Sequence, residues 1–386
     1  MSMSVIADGV HAMVPREAMP AHVRKLRETY DRVPGAPFFR KEFGFYCLER
    51  WYEQGLPREA NLSAEFGYDP QADHGLGQLG WCEAGLSPAF ETKVLEDRGE
   101  YELVQDFAGR HVLCFKGRRS GFMPEYVDHP VKDRATWNER IAWRMDPTTP
   151  ARYATEPERM AKAKELAAQG YVIVQNLVGG YMYLRSLMGP AELLYLVVDD
   201  PALIHRAMEA WFRLADAVIA RHQRHVTLDQ LFLAEDICYN NGSLISPAMM
   251  REFLFPYYQR LIANLKARQL DPRRHLFLHV DTDGWANPVI PVYQELGMDV
   301  MSPFEVASNC DVVASGKQHP ELVIFGGIDK RVLAQGPKAI DAMVERILPA
   351  MRGRGGYIPT CDHGVPEEVS LENYRHYRRR CLELGG

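Results

Sequence analysis

The chain has 386 residues, of which 46% are hydrophobic and 25% are charged, so we expect a folded globular protein and not a disordered one. Its 51 Asp and Glu residues outnumber its 45 Lys and Arg residues, and the net charge of −6 argues against a nucleic-acid-binding surface. The longest aliphatic run, Leu193 to Val198, is far shorter than the ~20 apolar residues needed to cross a bilayer. The N-terminal residues also lack an apolar stretch of signal-peptide length. We therefore expect a cytoplasmic protein that binds neither membranes nor nucleic acid.

A proline-rich segment, Asp146 to Pro150, interrupts the helical patterns and divides the chain into residues 1–150 and 151–386. The first part is irregular and rich in aromatic residues, and between Glu91 and Phe115 it alternates like antiparallel strands. We expect this part to form a β-containing N-terminal extension packed on the second part, the two making one structural domain. The seven cysteines are scattered without a Cys-x-x-Cys pair, which indicates reduced thiols.

The second part alternates six short apolar runs with helical patterns, which is typical of a parallel sheet covered by helices. The runs span residues 171–177, 231–237, 275–281, 299–305, 323–329 and 356–362, and helical patterns include residues 201–224, 246–268, 337–351 and 371–384. Every run ends in polar or ionisable residues, and in a barrel the carboxyl ends of all strands meet at one mouth. No Gly-x-Gly-x-x-Gly follows the first run, which disfavours a doubly wound sheet. We predict an α/β fold, a (β/α)8 TIM barrel with an N-terminal β-containing extension.

The strongest local signal for chemistry is the pair His279 and Asp281. Residues two apart on a strand face the same side, and Glu305 and Cys361 end later strands of the predicted barrel. Imidazole, carboxylate and thiolate groups meeting at the mouth would suit zinc. The alternative from spacing alone is a buried histidine hydrogen-bonded to carboxylates, together with a core cysteine.

Other polar residues near the strand ends are candidates for catalysis and substrate binding. Adjacent carboxylates can have pKa values pushed apart for acid–base chemistry, and histidine titrates near neutral pH. On this basis, the predicted catalytic residues are His363, Glu235 and Asp236. The predicted substrate-binding residues are Tyr181, Tyr239, Asn240, Arg118, Tyr126 and Asp329. For Asp236 and Asn240 the open alternative is that they cap the following turn.

Several segments, in order, resemble the uroporphyrinogen decarboxylase superfamily over roughly residues 171–384. They are FLAEDICYNNGSLISPAMMREFLFPYYQRLI from Phe232, HVDTDG, GMDVMSPFE, FGGID and GGYIPTCDHGVPEEVSLENYRHY. The first 150 residues match more loosely, through KGRRSGFMPEY. The resemblance implies a (β/α)8 barrel and either of two activities, porphyrinogen decarboxylation or corrinoid-dependent methyl transfer.

The motifs fit the methyltransferase branch better than the decarboxylase branch. Decarboxylases carry a propionate-gripping arginine segment near the chain start, whereas the similar segment here, Arg118 to Tyr126, comes about 90 residues later. Their Gly-Pro-Phe-Thr segment is replaced by Gly179 to Arg185. The zinc motif of the methyltransferases, His-x-Cys and a later Cys, resembles His279-x-Asp281 followed by Cys361, with Asp in place of the first Cys. This departure leaves two alternatives, a zinc site with harder ligands or a site that has been lost. A zinc ion with fewer thiolate ligands is more electrophilic, which suits an ether oxygen.

The sequence thus predicts a zinc-assisted methyltransferase that moves a methyl group from a methoxylated, aryl methyl ether-like substrate to a corrinoid. The chain contains no Asp-x-His-x-x-Gly corrinoid fingerprint, so the corrinoid is expected on a partner protein that approaches an open mouth rimmed by residues such as Phe122 and Met123. His363 or Glu235 would protonate the leaving group. A homodimer is compatible with the sequence. The alternatives are a metal-independent decarboxylase of a porphyrinogen-like polycarboxylate, and a non-catalytic binding protein.

Overall fold

The protein is described by a computed structural model covering residues 13–117 and 124–386. Its central element is a parallel sheet of seven strands arranged in chain order: Asp73–Gly75, Val172–Val178, Gln230–Ala234, Phe277–Asp281, Met298–Ser302, Val323–Phe325 and Tyr357–Ile358. The last six strands coincide with the six predicted apolar runs, which confirms the parallel α/β arrangement. The first strand lies before residue 150, so the N-terminal part contributes to the sheet.

The sheet curls into a half-barrel, and in the described part of the chain its first and last strands do not pair. The predicted closed (β/α)8 barrel is therefore found only in part. An irregular segment lies beside the last strand, where Val365 donates to Gly44 O at 2.8 Å and Tyr46 donates to Val365 O at 2.9 Å. There the Glu42 carboxylate accepts a hydrogen bond from the backbone N–H of Cys361 at 2.8 Å. A side chain thus serves this backbone donor in place of a strand carbonyl, and four residues later Phe45 and Val365 form an isolated parallel bridge.

The N-terminal part also forms an antiparallel sheet whose four strands follow one another in chain order: Lys93–Arg98, Tyr101–Gln105, His111–Phe115 and Glu125–Asp128. The first three confirm the alternating pattern of the sequence. Glycines at positive φ, Gly99 (79°) and Gly109 (82°), make the two turns between them. A small separate hairpin pairs Cys238–Tyr239 with Gly242–Ser243.

Helices cover the outer face of the parallel sheet. The α-helices are Ala21–Tyr30, Leu48–Glu53, Leu62–Phe66, Arg134–Thr136, Glu156–Ala167, Gly180–Met188, Pro190–Asp199, Pro201–His222, Pro247–Met249, Phe255–Arg268, Ile290–Gln294, Val312–Gln318, Lys330–Leu333, Pro337–Arg354 and Leu371–Gly385. Short 3₁₀ segments are Arg16–Ala18, Ala142–Met145, Pro150–Tyr153, Asn287–Val289 and Val306–Ser308, and π-helical turns are Trp137–Ile141 and Met250–Leu254. Ser246 and Ser370 cap the helices they precede, accepting from Met249 N and Asn373 N.

The interior of the curled sheet is a separate apolar cluster, in which Phe232, Val300 and Phe325 from the strands pack with residues of the helix Ala21–Tyr30. Arg27 on this helix bonds to the carbonyl groups of residues just before a strand, so the helix plugs the amino-terminal end of the half-barrel. The opposite, carboxyl-terminal end is left for the loops that carry the candidate site. Among the described residues, no helix is long and apolar enough to cross a membrane.

Candidate functional site

The candidate site is a cleft at the carboxyl ends of the parallel strands, and it is rich in carboxyl groups. The strand ends and the loops after them bring together four carboxyl groups: Asp236, Asp281, Asp283 and Glu305. They lie close enough that the charges of the other three all act on Asp283. This convergence follows from the parallel topology, since the carboxyl ends of all the strands meet at one edge. Three of these four, Asp236, Asp281 and Glu305, were predicted as site residues from the sequence, and Asp283 was not singled out; their roles stay predictions.

Crowding and burial shift the pKa values of two of these carboxyl groups into the neutral range. Desolvation in the cleft, reinforced by the negative charges of Asp236 and Glu305, raises the pKa of Asp283 to about 8. Desolvation raises the pKa of Asp281 to about 6, against the opposing effect of its hydrogen bond from Ser302. The Asp283 side chain remains 43% exposed, so this carboxyl group holds its proton to a higher pH than an ordinary aspartate does, and it can donate that proton.

A continuous chain of hydrogen bonds fixes His279 and Asp281. The Tyr30 hydroxyl donates to Gln230 Oε1 at 2.5 Å, and Gln230 Nε2 lies 2.5 Å from His279 Nδ1. His279 Nε2 lies 2.8 Å from Ser302 Oγ, whose hydroxyl donates to Asp281 Oδ2. With Gln230 donating to Nδ1, the imidazole proton lies on Nε2 and is donated to Ser302. Both ring nitrogens of His279 are thus engaged in hydrogen bonds.

The four predicted zinc ligands do not come together. Within residues 13–117 and 124–386, no group of three or more His, Cys, Asp or Glu side chains is arranged to hold a metal ion. His279 has no free nitrogen, and Glu305 accepts a hydrogen bond from Gly284 N at 2.9 Å. Cys361 is completely buried, and burial together with the nearby Glu42 raises the pKa of its thiol well above the ordinary value. This donor set does not fit zinc, so we assign no step to a metal, and zinc binding stays a prediction of the sequence.

Arg185 and Asp236 form an ion pair at the cleft. Arg185 Nη1 contacts Asp236 Oδ2 and also reaches the Asp236 carbonyl oxygen at 3.3 Å. Asp236 has a φ of 43°, in the left-handed region that aspartate tolerates at a local cost and that occurs often at functional positions. The buried hydroxyl of Tyr181 has no hydrogen-bond partner among the described residues. A substrate oxygen or nitrogen near Arg185 and Tyr181 would satisfy this donor.

Glu235 lies deeper than predicted and has a structural environment. It is completely buried; its Oε2 accepts from the Tyr258 hydroxyl at 2.6 Å and its Oε1 accepts from Tyr181 N at 3.2 Å. A Cβ on Gly179 would lie 1.9 Å from Glu235 Oε2, so the glycine makes room for the carboxyl group. Burial raises the pKa of Glu235. These contacts indicate that Glu235 positions the loop after the strand and does not face the cleft.

His363 lies beside Asp283, with its Nε2 3.9 Å from Asp283 Oδ2. Its ring contacts Phe43 and Tyr46, at centroid distances of 5.0 and 5.9 Å. Burial and the positive charge of Lys330 lower the pKa of His363 below its ordinary value. The imidazole is therefore neutral at pH 7, and it can exchange a proton with Asp283.

Lys330 links two strand-end loops. Its Nζ lies 3.6 Å from Glu305 Oε1 and 3.5 Å from Asp362 Oδ1. Asp362 is fully buried and also accepts from Val306 N at 3.0 Å. The ammonium group therefore offsets part of the negative charge on one side of the cleft.

An aromatic wall, formed by Trp81, Phe232 and Phe325, lines the interior of the sheet below the acidic groups. Trp81 stacks on Phe232 at 4.6 Å with an interplanar angle of 15°, and it remains 47% exposed. Phe232 and Phe325 both contact the His279 ring, at 4.7 and 5.1 Å. Lys41 Nζ lies 5.1 Å from the centre of the Phe325 ring. The wall thus presents the exposed side of Trp81, which suits a planar ligand.

The remaining predicted substrate-binding residues lie on several different elements of the fold. Tyr239 is 46% exposed on the hairpin at Cys238–Tyr239, and the exposed Asn240 is in its turn. Tyr126 belongs to the antiparallel sheet, where its ring lies 4.8 Å from the Arg110 guanidinium. Asp329 caps the helix Lys330–Leu333 by accepting from Arg331 N at 2.9 Å, which favours a structural role. Arg118, with Phe122 and Met123, lies outside the described residues.

Lys41 and Trp81 escaped the sequence analysis because both lie in irregular N-terminal segments with no periodicity to indicate an inward direction. Asp283 and Lys330 could have been found from the sequence. Asp283 is two residues beyond Asp281, and Lys330 directly follows Asp329 at a predicted strand end. A rule that includes the first residues of each strand-end loop would have found both.

Comparison with known proteins identifies the family of this chain and a solved structure with a similar fold. The family described as Uroporphyrinogen decarboxylase (URO-D) matches residues 153–383. A uroporphyrinogen decarboxylase of Chloroflexus aurantiacus is 26% identical over 181 residues, which are 46% of this chain and 47% of that protein. Another, from Pelobacter propionicus, is 27% identical over 143 residues, covering 37% of this chain and 39% of that protein. The chain thus spans about half the length of the curated relatives it matches.

A solved structure described as a methyltransferase from Methanosarcina mazei is similar over nearly the whole chain. The TM-score is 0.54 at 16% sequence identity, with 94% of this chain and 98% of that chain covered. At this identity the similarity establishes a common fold, including the N-terminal part that the family match leaves out.

Proposed function

The chain belongs to the uroporphyrinogen decarboxylase family, and from this premise we propose that it is a methyltransferase acting on a small methoxylated substrate, such as an aryl methyl ether. The acceptor in this proposal is the corrinoid of a partner protein. The observation that carries the proposal is the convergence of Asp236, Asp281 and Glu305 on Asp283 at the mouth, where desolvation and these charges raise the pKa of Asp283 to about 8. Similarity in fold to the Methanosarcina mazei methyltransferase supports it.

Demethylation of an ether needs an acid more than it needs a base. When the methyl carbon leaves, the electron pair of the C–O bond stays on the oxygen, and the phenolate or alkoxide must be neutralised. The Asp283 carboxyl group supplies this proton to the leaving oxygen and becomes a carboxylate. His363, 3.9 Å away, then passes a proton back from solvent. In this scheme, His363 keeps the proton-transfer role that the sequence predicted, one step removed from the substrate.

The aromatic wall orients the substrate in this proposal. The aryl ring lies against the exposed side of Trp81, whose other side is fixed by stacking on Phe232. A ring held there lies below the carboxyl groups, with its oxygen directed toward Asp283. In this proposal Arg185 binds a second polar substituent of the substrate, and the buried Tyr181 hydroxyl, which has no hydrogen-bond partner among the described residues, lies near it.

The corrinoid would supply the nucleophile that accepts the methyl group. Several large apolar side chains are well exposed near the cleft, as docking to another protein requires: Phe43 (43%), Tyr46 (55%), Trp81 (47%) and Tyr239 (46%). Phe43 and Tyr46 flank His363, so a partner bound to them would be beside the proposed acid. Partner and corrinoid both remain proposals.

The second candidate is a decarboxylase of a polycarboxylate, as the names of the curated relatives suggest. Decarboxylation also uses an acid, to protonate the carbanion. However, the carboxyl groups of Asp236, Asp281 and Glu305 would repel a substrate that carries several negative charges. Among the groups described above, only Lys41, Arg185 and Lys330 offer cations against them, and the last two already face carboxylates.

A two-substrate assay tests the proposal. The protein is incubated with reduced cobalamin and an aryl methyl ether such as 2-methoxybenzyl alcohol, and in parallel with uroporphyrinogen. We expect formation of methylcobalamin and the free phenol, lost in Asp283→Asn and retained in the helix-cap variant Asp329→Asn. Decarboxylation of uroporphyrinogen without any demethylation of a panel of methyl ethers would contradict the proposal.

A further inference from the structure

A second cavity lies at the amino-terminal end of the parallel sheet, on the side opposite to the cleft. Its volume is about 810 Å³, within the range of small-molecule binding sites. We call it the basal cavity. It lies between residues that precede the strands Gln230–Ala234 and Phe277–Asp281 and the N-terminal segment that ends with the helix Ala21–Tyr30.

Cations outnumber carboxylates in the lining of the basal cavity. Four arginines line it with only three aspartates: Arg16, Arg27, Arg273 and Arg274 against Asp31, Asp229 and Asp271. Arg16 pairs with Asp31 and Arg273 pairs with Asp271. The third carboxylate, Asp229, is shared by two guanidinium groups, those of Arg27 and Arg274. One positive charge in the lining is therefore not matched by a carboxylate.

The two arginines on Asp229 differ in how their N–H groups are used. Arg27 donates from Nε to Gly170 O at 2.7 Å and from Nη2 to Tyr171 O at 2.9 Å, besides its bonds to Asp229. Arg274 donates to Asp229 through Nη2, whereas its Nε is buried and has no hydrogen-bond partner among the described residues. The Arg274 side chain is only 5% exposed. Arg274 thus shares its carboxylate with a second guanidinium group and keeps one N–H group without an acceptor among the described residues.

The apolar part of the lining is largely aromatic. The Phe277 ring packs against Tyr30 at 4.8 Å and against His275 at 4.6 Å. Met13 and Met19 complete this side, and methionine adapts to irregular apolar ligands. A ligand that fills the basal cavity must therefore present both an acidic group and an apolar body.

We propose that the basal cavity is a binding site for a small amphipathic monoanion, a carboxylate on an aromatic or aliphatic body, whose acidic group pairs with the excess positive charge of the arginines that line the cavity. The apolar body lies against Phe277 and Tyr30. The site is separate from the catalytic cleft, because its residues lie at the opposite ends of the strands. Binding there does not depend on which reaction the cleft performs.

Calorimetry with benzoate tests the proposal, with benzamide and inorganic phosphate as comparison probes. We expect benzoate to bind with a Kd of ~1 mM or tighter, as a good fragment-sized ligand does. Benzamide, which lacks the charge, and phosphate, which lacks the apolar body, should both bind at least ~10-fold more weakly. Arg274→Gln should weaken benzoate binding by ~10-fold or more. The matched control Arg260→Gln, which removes an arginine paired with Glu209 on the outer surface, should leave it unchanged.

Two further variants separate the basal cavity from other sites. Arg273→Gln removes a cation whose side chain is 67% exposed, so it should fold, and it should weaken benzoate binding several-fold. Asp283→Asn in the cleft should leave the benzoate affinity unchanged. Three results would overturn the proposal: phosphate binding as tightly as benzoate, benzoate affinity unchanged in both folded arginine variants, or benzoate binding that appears only after deletion of residues 1–12.

Discussion

Replacing Asp283 with asparagine is the sharpest test of the proposed chemistry. With a pKa of about 8, this carboxyl group is about nine-tenths protonated at pH 7, whereas an ordinary aspartate, with a pKa near ~3.9, would be almost fully ionised. Asparagine keeps the shape and a hydrogen-bond donor but has no proton to release. Loss of a general acid costs ~10²–10⁴-fold in rate. We therefore expect Asp283→Asn to lower kcat for demethylation by ~10²-fold or more, while KM changes by less than ~3-fold.

The pH profile makes this prediction specific. The rate with the parent protein should fall as the pH rises through about 8, because Asp283 loses its proton there. The residual activity of Asp283→Asn should lack this fall. The assay is methyl transfer to reduced cobalamin between pH 6 and 9.5. A variant that keeps the fall near pH 8, or that loses less than ~3-fold in kcat, would refute the assignment of Asp283 as the acid.

The same variant should change the pH dependence of stability. Because folding raises the pKa of Asp283, the native state holds a proton that the unfolded state releases above about pH 4. The parent protein therefore loses stability between about pH 4 and about pH 8, and the loss is complete above that. Asp283→Asn should be stabilised relative to the parent at pH 9 and not at pH 4, as measured by urea unfolding. Solvent screening moderates the size of the effect, because the side chain is 43% exposed.

Four other perturbations check other parts of the site. Ser302→Ala removes the hydrogen bond that lowers the pKa of Asp281, so the Asp281 carboxyl group should titrate above its value of about 6 in a ¹³C NMR titration. Glu235→Gln should cost ~1–3 kcal/mol in urea unfolding, because an amide NH2 group replaces one of the two carboxyl oxygens that accept from Tyr258 and Tyr181 N, and should leave the pH–rate profile unchanged. Arg185→Met should lower kcat/KM by ~10-fold or more without loss of fold. Elemental analysis should find substoichiometric zinc; one zinc per chain that is lost in Cys361→Ala would contradict the arrangement of these ligands.

The fold of residues 151–386 was accessible from sequence because each strand is a short apolar run followed by an amphipathic helix. The strand Asp73–Gly75 was not, since its sequence Asp-His-Gly has no apolar pattern and pairs only because Val172–Val178 lies beside it. Closure of the barrel could not be predicted from the sequence either. Tertiary packing decides which group the Cys361 backbone N–H contacts, and here it is the Glu42 side chain and not another strand.

The candidate site, too, could be predicted from the sequence only in part. Strand spacing placed His279 and Asp281 on one face, and they do share one hydrogen-bonded chain. The spacing could not show which side chains the neighbouring strands place beside His279. Asp281 is in register with Ser302 on one adjacent strand, and Gln230 lies on the other. Ser302 and Gln230 therefore engage both ring nitrogens of His279, which leaves neither nitrogen free for a metal. The alternative that spacing left open, a buried histidine hydrogen-bonded to carboxylates, holds only in part: His279 is buried and hydrogen-bonded, but its partners are Gln230 and Ser302, and the Asp281 carboxylate is reached through Ser302.

The acidity of the cleft and the charge of its substrate are linked by a single physical cause. The pKa of Asp283 is high because desolvation and the carboxylates of Asp236 and Glu305 oppose a further negative charge. The same field opposes the entry of an anionic substrate, and each carboxylate that a ligand brought close would raise the pKa of Asp283 further, until it could no longer give up its proton. A neutral ether adds no negative charge to this field, and its developing phenolate is the one negative charge that proton transfer removes at once. The arrangement therefore favours a neutral substrate that becomes charged only as it reacts.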